Sequence, residues 1–126
     1  MKKIIKSNNA PQPIGPYSQA VLVGNTLYTS GQIAINPQTS ELELDTIELE
    51  TELVMENLKA LLTEAGMDFS NVIKCSIFIS DMNNFARINE VYGKYFTSNY
   101  PARETVEVAC LPKNVNVEIS AIAVKE

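Results

Sequence analysis

The sequence predicts an α+β fold: a six-stranded mixed sheet with two helices packed on one of its faces. Three observations predict it. Both ends of the chain alternate apolar and polar residues with a period of two, the signature of strands. Two middle stretches repeat their apolar residues at helical spacing instead. The resulting order is β-β-β-α-β-α-β-β, and two helices can cover only one face of such a sheet. Residues such as Ile122 and Val124 alternate onto the face away from Ile119 and Ala121, where they need a partner.

Lys3 to Ser7 forms a short edge strand, and the proline-rich stretch Ala10 to Pro16 runs extended until Tyr17 closes it. Val21 to Val23 and Thr26 to Ser30 flank Gly24-Asn25, a two-residue turn that makes a hairpin. Ser30 and Gly31 end its second strand. A glycine there lets a backbone N–H come close to a ligand, or marks a plain bulge or turn. Asn36-Pro37-Gln38-Thr39 is a turn, and Leu42 to Leu44 leads into the first helix. Asp45 and Glu48 fit a capping box at its start, and Gly66 stands at its C-terminal cap. Ile47, Val54, Leu58, Leu61 and Ala65 form the buried stripe, while Glu48, Glu50, Glu52 and Glu56 read as a solvated outer face. Val72 to Ile79 is a strand rich in β-branched residues, and Ser80 to Asn84 breaks the chain before the second helix. That helix has Phe85, Ile88, Tyr92 and Tyr95 as its apolar stripe; Asn89 lies on it as a surface amide or a ligand contact.

The last two strands come from Arg103 onward and from Val115 to the end, separated by Pro112, Lys113 and Asn114. The natural pairing is an antiparallel hairpin, which brings Glu118 toward the level of Thr105 and within reach of Arg103. Register is not fixed by such a pattern.

A length of 126 residues fits one domain spanning 1–126. Fifteen acidic against ten basic residues give a net charge of −5, which argues against nucleic acid and anionic membranes as partners. No apolar run approaches the ~20 residues of a membrane span. The opening MKKIIKS is basic but has no apolar core of a secretory signal, so a cytoplasmic location is expected. Histidine is absent, which removes the commonest general base and metal ligand together. Cys75 and Cys110 fall in predicted strands without CxxC spacing, so both read as small hydrophobes. No phosphate-binding loop, dinucleotide fingerprint or metal triad occurs, and neither a cofactor nor a metal is expected.

An anionic substrate needs a local cation, and Arg103 is the candidate. A guanidinium grips a carboxylate bidentately, and a carboxylate such as Glu118 in apolar surroundings has a raised pKa and can act as a base. On spacing alone, a partly exposed salt bridge is the commoner reason for such a pair.

The motifs around these residues resemble the RidA/YjgF family. The C-terminal signature is carried by Pro101, Ala102, Arg103, Val106 to Ala109, Leu111, Pro112 and Glu118 to Val124. APQPIGPYSQA (10–20), TSGQIAINPQT (29–39) and VIKCSIFISDMNNFARINEVYGKYF (72–96) extend the resemblance over nearly the whole chain. It implies a chorismate-mutase-like fold assembled as a homotrimer with clefts between subunits. It further implies hydrolysis of reactive 2-imino acids, such as 2-iminobutanoate and 2-iminopropanoate, to 2-keto acids and ammonia. Such imines are released by pyridoxal-phosphate-dependent dehydratases. In the matching positions, Arg103 would bind the substrate carboxylate and Glu118 would activate water, helped by the backbone carbonyl of Thr105. Ser30, Gly31 and the Thr105 backbone would line the pocket, Tyr17 would enclose the ligand and Asn89 would add a polar contact. This chain departs from the pattern at Thr105, where many active relatives carry cysteine, and at Cys110, usually arginine. Glu104 places a negative charge beside Arg103, and alternation sends it to the face opposite Thr105. A noncatalytic trimer that binds small carboxylates is the alternative; RNA cleavage or inhibition of translation fits the charge less well.

Overall fold

The computed structural model describes all of residues 1–126 and contains one six-stranded sheet, ordered β1-β2-β3-β6-β4-β5. The strands are β1 (Lys2–Ile5), β2 (Ala20–Val23), β3 (Thr26–Thr29), β4 (Val72–Ile79), β5 (Ala102–Glu107) and β6 (Val117–Val124). Two helices, α1 (Ile47–Glu64) and α2 (Phe85–Gly93), cover one face. Every pairing is antiparallel except β4 with β5. A parallel pair needs a crossover connection, and α2 supplies it.

The expected hairpin between the last two strands does not form. β6 lies between β3 and β4 at the centre of the sheet, and β5 is an edge strand on the far side of β4. The reason is burial. Alternate residues of β6 (Val117, Ile119, Ala121 and Ala123) are all buried, whereas five of the six residues of β5 are exposed. The more apolar strand takes the position with a neighbour on each side. The link between them has room to pass the end of β4, turning at Pro112–Asn114, where Lys113 (φ 56°) and Asn114 (φ 57°) both adopt left-handed backbone.

The β2–β3 hairpin forms as expected around Gly24-Asn25. Positive φ falls on Gly24 alone, the first turn position, as a type II′ turn requires. Helix α1 buries its predicted stripe of Ile47, Val54, Leu58, Leu61 and Ala65 against the sheet. Its N-cap, however, is Thr46 rather than Asp45: the Thr46 hydroxyl accepts from the Leu49 N–H at 3.1 Å. Gly66, at φ +75°, ends the helix as its sequence position suggested.

Two further expectations are corrected. Glu50 does not belong to a solvated acidic face but is fully buried. Its neighbour Glu48 is exposed and makes a bidentate pair with Arg87 of α2, at 2.7 and 2.6 Å, that joins the helices. Cys75 is buried in β4, but Cys110 is exposed and lies beyond the end of β5; neither is in a disulfide. The face of the sheet opposite the helices stays uncovered in the single chain. Ile4, Val23, Tyr28 and Val106 are exposed on it, and Ile122 and Val124 are half-buried there. No helix is long and apolar enough to cross a membrane.

Candidate functional site

Register decides which of the candidate residues can meet. Arg103 stands beside Cys75, and Cys75 beside Ala121. The last two are buried beneath the helices, so Arg103 points to the helix face. Glu118 stands beside Phe78, and Phe78 beside Val106; these three alternate onto the uncovered face. The chain therefore splits its candidates into two half-sites.

The first half-site is built by α2 on β5. The Arg103 guanidinium lies 5.4 Å from the Phe85 ring centroid and 5.3 Å from that of Tyr92. Its Nη1 donates to the Asn89 amide oxygen. Phe85, Asn89 and Tyr92 fall at i, i+4 and i+7 of one helix, so two rings and an amide face the same way. Aromatic faces attract a guanidinium without neutralising it, and neither of the chain's two ion pairs includes Arg103. Glu104 is turned away, as alternation suggested: it pairs with Lys74 at 3.2 Å and accepts from the Ser76 hydroxyl. An open hollow of about 450 Å³, lined by Asn89, Tyr92, Gly93, Tyr100, Pro101 and Arg103, lies in front of the cation. The Tyr92 hydroxyl at this hollow is buried without a hydrogen-bond partner, as is the Thr105 hydroxyl two residues along β5 from Arg103. Tyr92 faces the Cys75 thiol, and burial raises both groups above their ordinary pKa values.

The second half-site is a cleft of about 440 Å³ that contains Glu118, Tyr17, Ser30 and Gly31. Glu118 is half-buried; removal from water raises its carboxyl above the ordinary value of 4.5. No donor in the chain bonds it. Gly31 is needed for its close approach, since a Cβ at position 31 would meet Glu118 Cγ at 3.0 Å and Cδ at 2.8 Å. Ser30 is anchored by its hydroxyl, which donates to the Ser18 carbonyl at 2.6 Å. The proline-rich loop that carries Tyr17 is tied down by the buried amide of Gln19. That side chain accepts from the Ser7 N–H at 2.7 Å and donates to the carbonyls of Ser7, Ala10 and Pro11 at 3.0, 3.2 and 2.9 Å. Ile14, Ile33 and Ile35 make the remaining walls apolar, and Lys113 brings a cation to the same cleft.

The family model described as Endoribonuclease L-PSP matches residues 7–125. The chain belongs to the RidA/YjgF family. A RutC family protein of Pyrococcus horikoshii is 52% identical over 126 residues, covering 100% of both chains. A Dermatophagoides farinae protein named 2-iminobutanoate/2-iminopropanoate deaminase is 50% identical over 125 residues, covering 99% of this chain and 98% of its own. Among solved structures, Escherichia coli TdcF with bound serine superposes with a TM-score of 0.94 at 46% identity, covering 98% of this chain and 99% of that one.

Within this RidA/YjgF chain, the structure brings Tyr17, Ser30, Gly31 and Glu118 together, and separately Asn89 with Arg103. Thr105 lies two residues beyond Arg103 on the helix side of β5. Sequence reasoning missed the aromatic bed under Arg103, although the spacing of Phe85, Asn89 and Tyr92 carries that signal. It also missed Gln19 and Lys113. A single amide in a loop has no readable pattern, and left-handed backbone at a lysine has no sequence signature.

Proposed function

We propose that this protein is a deaminase that hydrolyses reactive 2-imino acids, such as 2-iminobutanoate and 2-iminopropanoate, to 2-keto acids and ammonia. We further propose that it works as a homotrimer with its sites between subunits. One observation carries the reading. Each chain presents an unpaired guanidinium on one side of its sheet and an unpartnered carboxylate in an apolar cleft on the other, so a complete site needs two copies. The exposed Ile4, Val23, Tyr28 and Val106 on the Glu118 face provide apolar surface for such a contact. The deaminase named among the relatives and the serine bound to TdcF support a small α-nitrogen carboxylate as the ligand.

In this mechanism Arg103 of one subunit holds the substrate carboxylate in a bidentate grip. The Glu118 carboxylate of the next takes a proton from water as the oxygen adds to the imine carbon, helped by the Thr105 backbone carbonyl. The C=N double bond becomes a C–N single bond. Glu118 then returns the proton to nitrogen, giving a carbinolamine with one hydroxyl and one amino group. The carboxylate next takes the hydroxyl proton and passes it to that nitrogen as the C–N bond breaks, so the oxygen closes to C=O and ammonia leaves the keto acid. Imines already hydrolyse in water, so orientation and proton transfer are all the protein must supply. Tyr17 closes over the ligand, and Ser30, Gly31 and Asn89 complete the lining. The imine comes from pyridoxal-phosphate-dependent dehydratases, and the two unpaired thiols suit a reducing compartment such as the cytoplasm.

The test adds purified protein to a threonine dehydratase reaction in which semicarbazide traps the imine. Faster imine loss is expected, and it should vanish in Arg103→Ala. No acceleration, or undiminished acceleration by that variant, would refute the reading.

A further inference from the structure

Helix α1 buries two polar side chains that the deaminase step does not use. Glu50 is 0% exposed and Asn57 1%, and seven residues apart they share one face of the helix. Glu50 Oε2 accepts from the backbone N–H groups of Asn116 at 2.7 Å and Val117 at 3.2 Å, while Oε1 accepts from Asn116 Nδ2 at 2.7 Å. Asn57 Nδ2 donates to the carbonyls of Ile33 at 3.1 Å and Ile35 at 3.0 Å.

These partners belong to the two walls of the Glu118 cleft. Ile33 and Ile35 line one, and Asn116-Val117 connects the lining residues Pro112 and Lys113 to Glu118 on the other. Gln32 and Ile119 join the walls by reciprocal backbone hydrogen bonds of 2.8 and 3.1 Å. Left-handed backbone at two successive non-glycine residues, Lys113 and Asn114, persists only where its surroundings hold it. Glu50 grips that turn at its exit, one residue before Glu118. A carboxylate that accepts only suits a site built of three donors.

We propose that Glu50, seconded by Asn57, is a positioning residue that fixes where the Glu118 carboxylate enters its cleft. The proposal rests on the deaminase reading for its kinetic consequence, but its geometry is independent of it.

The experiment uses the full chain in its native assembly. Asn116→Asp sets a carboxylate against Glu50 and should lower kcat about tenfold with KM changed less than about twofold. The double variant Glu50→Gln/Asn116→Asp should recover kcat to within about threefold of wild type, because the amide placed at 50 now donates to the carboxylate placed at 116. Asn116→Ala adds no charge, removes the side-chain donor to Glu50 together with the 3.4 Å acceptor of the Ser80 hydroxyl, and should lower kcat about threefold; it also decides the matter if Asn116→Asp does not fold. Unchanged kcat in Asn116→Ala, or no recovery in the double variant, overturns the proposal. If the wild-type chain does not hydrolyse imines, the functional reading fails, and positioning is judged from a carbon-13 NMR titration of the Glu118 carboxyl. Tyr17 and Lys113, the other titratable groups lining the cleft, are unaltered in Asn116→Ala. A midpoint displaced from wild type in that variant supports positioning, and an identical midpoint overturns it.

Discussion

Arg103 and Glu118 occupy opposite faces of one sheet, on strands that both pair with β4 and never with each other. Adjacent strands lie about 4.8 Å apart, so the two backbones are separated by about 10 Å before their side chains diverge. A guanidinium outside both ion pairs and a half-buried carboxylate without a donor are thus both present in each chain, and the fold keeps them from pairing with one another. Had they met within a chain, mutual neutralisation would have left neither free for a ligand.

Mixed assemblies test this separation directly. Arg103→Ala and Glu118→Gln should each keep only about a hundredth of wild-type activity alone. Co-refolded at equal amounts, they should regain up to about a quarter of wild-type activity, because one subunit contact in four pairs an intact Arg103 with an intact Glu118. No recovery in well-folded mixed trimers would place both groups of a site in the same chain.

Arg103 should also resist conservative replacement. The aromatic bed of Phe85 and Tyr92 and the Asn89 acceptor fit a planar, delocalised cation, whereas an ammonium is a compact, strongly hydrated point charge. Arg103→Lys is expected to raise KM about tenfold, and Arg103→Ala to lower kcat/KM by about a hundredfold or more. Steady-state kinetics over a range of imine supply separates the two.

Much of the fold was legible because it depends on local pattern. Val72–Ile79 has the bounds that its β-branched run suggested, and Gly24-Asn25 turns as its residue types require. Alternation specifies which side chains share a face of a strand, but not which strand comes to lie beside it. Pro112-Lys113-Asn114 therefore reads as a hairpin turn, although β6 passes to the centre of the sheet to bury both of its flanks. Glu50 was misread by charge alone. Its place three residues after Ile47 and four before Val54 lies inside the buried stripe, and that spacing outweighs the chemistry of the side chain wherever donors wait to receive it. The candidate residues were identifiable from their motifs, while their division between two faces followed from a pairing that local pattern does not encode.

The raised pKa of Glu118 gives a pH dependence of definite sign. A base must be ionised, so kcat/KM should fall as pH falls through a value above the ordinary 4.5. In that window the folded chain binds more protons than the unfolded one, so stability decreases as pH rises through it, and the penalty is fully present above it. Glu118→Gln should lower kcat about a hundredfold yet melt at a slightly higher temperature than wild type at neutral pH. Below about pH 4.5, where the wild-type carboxyl is protonated in both states, that advantage should disappear. A lower melting temperature for the variant at neutral pH would mean that the carboxylate stabilises the fold, contrary to its burial without a donor.

Gly31→Ala separates space from backbone conformation at the cleft. Gly31 does not have positive φ, so alanine is free of backbone strain there, and the cost falls on whatever occupies the space. That occupant is Glu118, whose Cδ would stand 2.8 Å from the new methyl carbon, well inside van der Waals contact. The side chain is long enough to swing aside, and the melting temperature should therefore change little. A displacement of about 1 Å at the reacting group is enough to cost up to a hundredfold in rate, so kcat should fall by at least tenfold. A crystal structure of Gly31→Ala should show the Glu118 carboxylate moved out of the cleft with β6 in place. Full activity with the carboxylate displaced would show that Glu118 does not deliver the water.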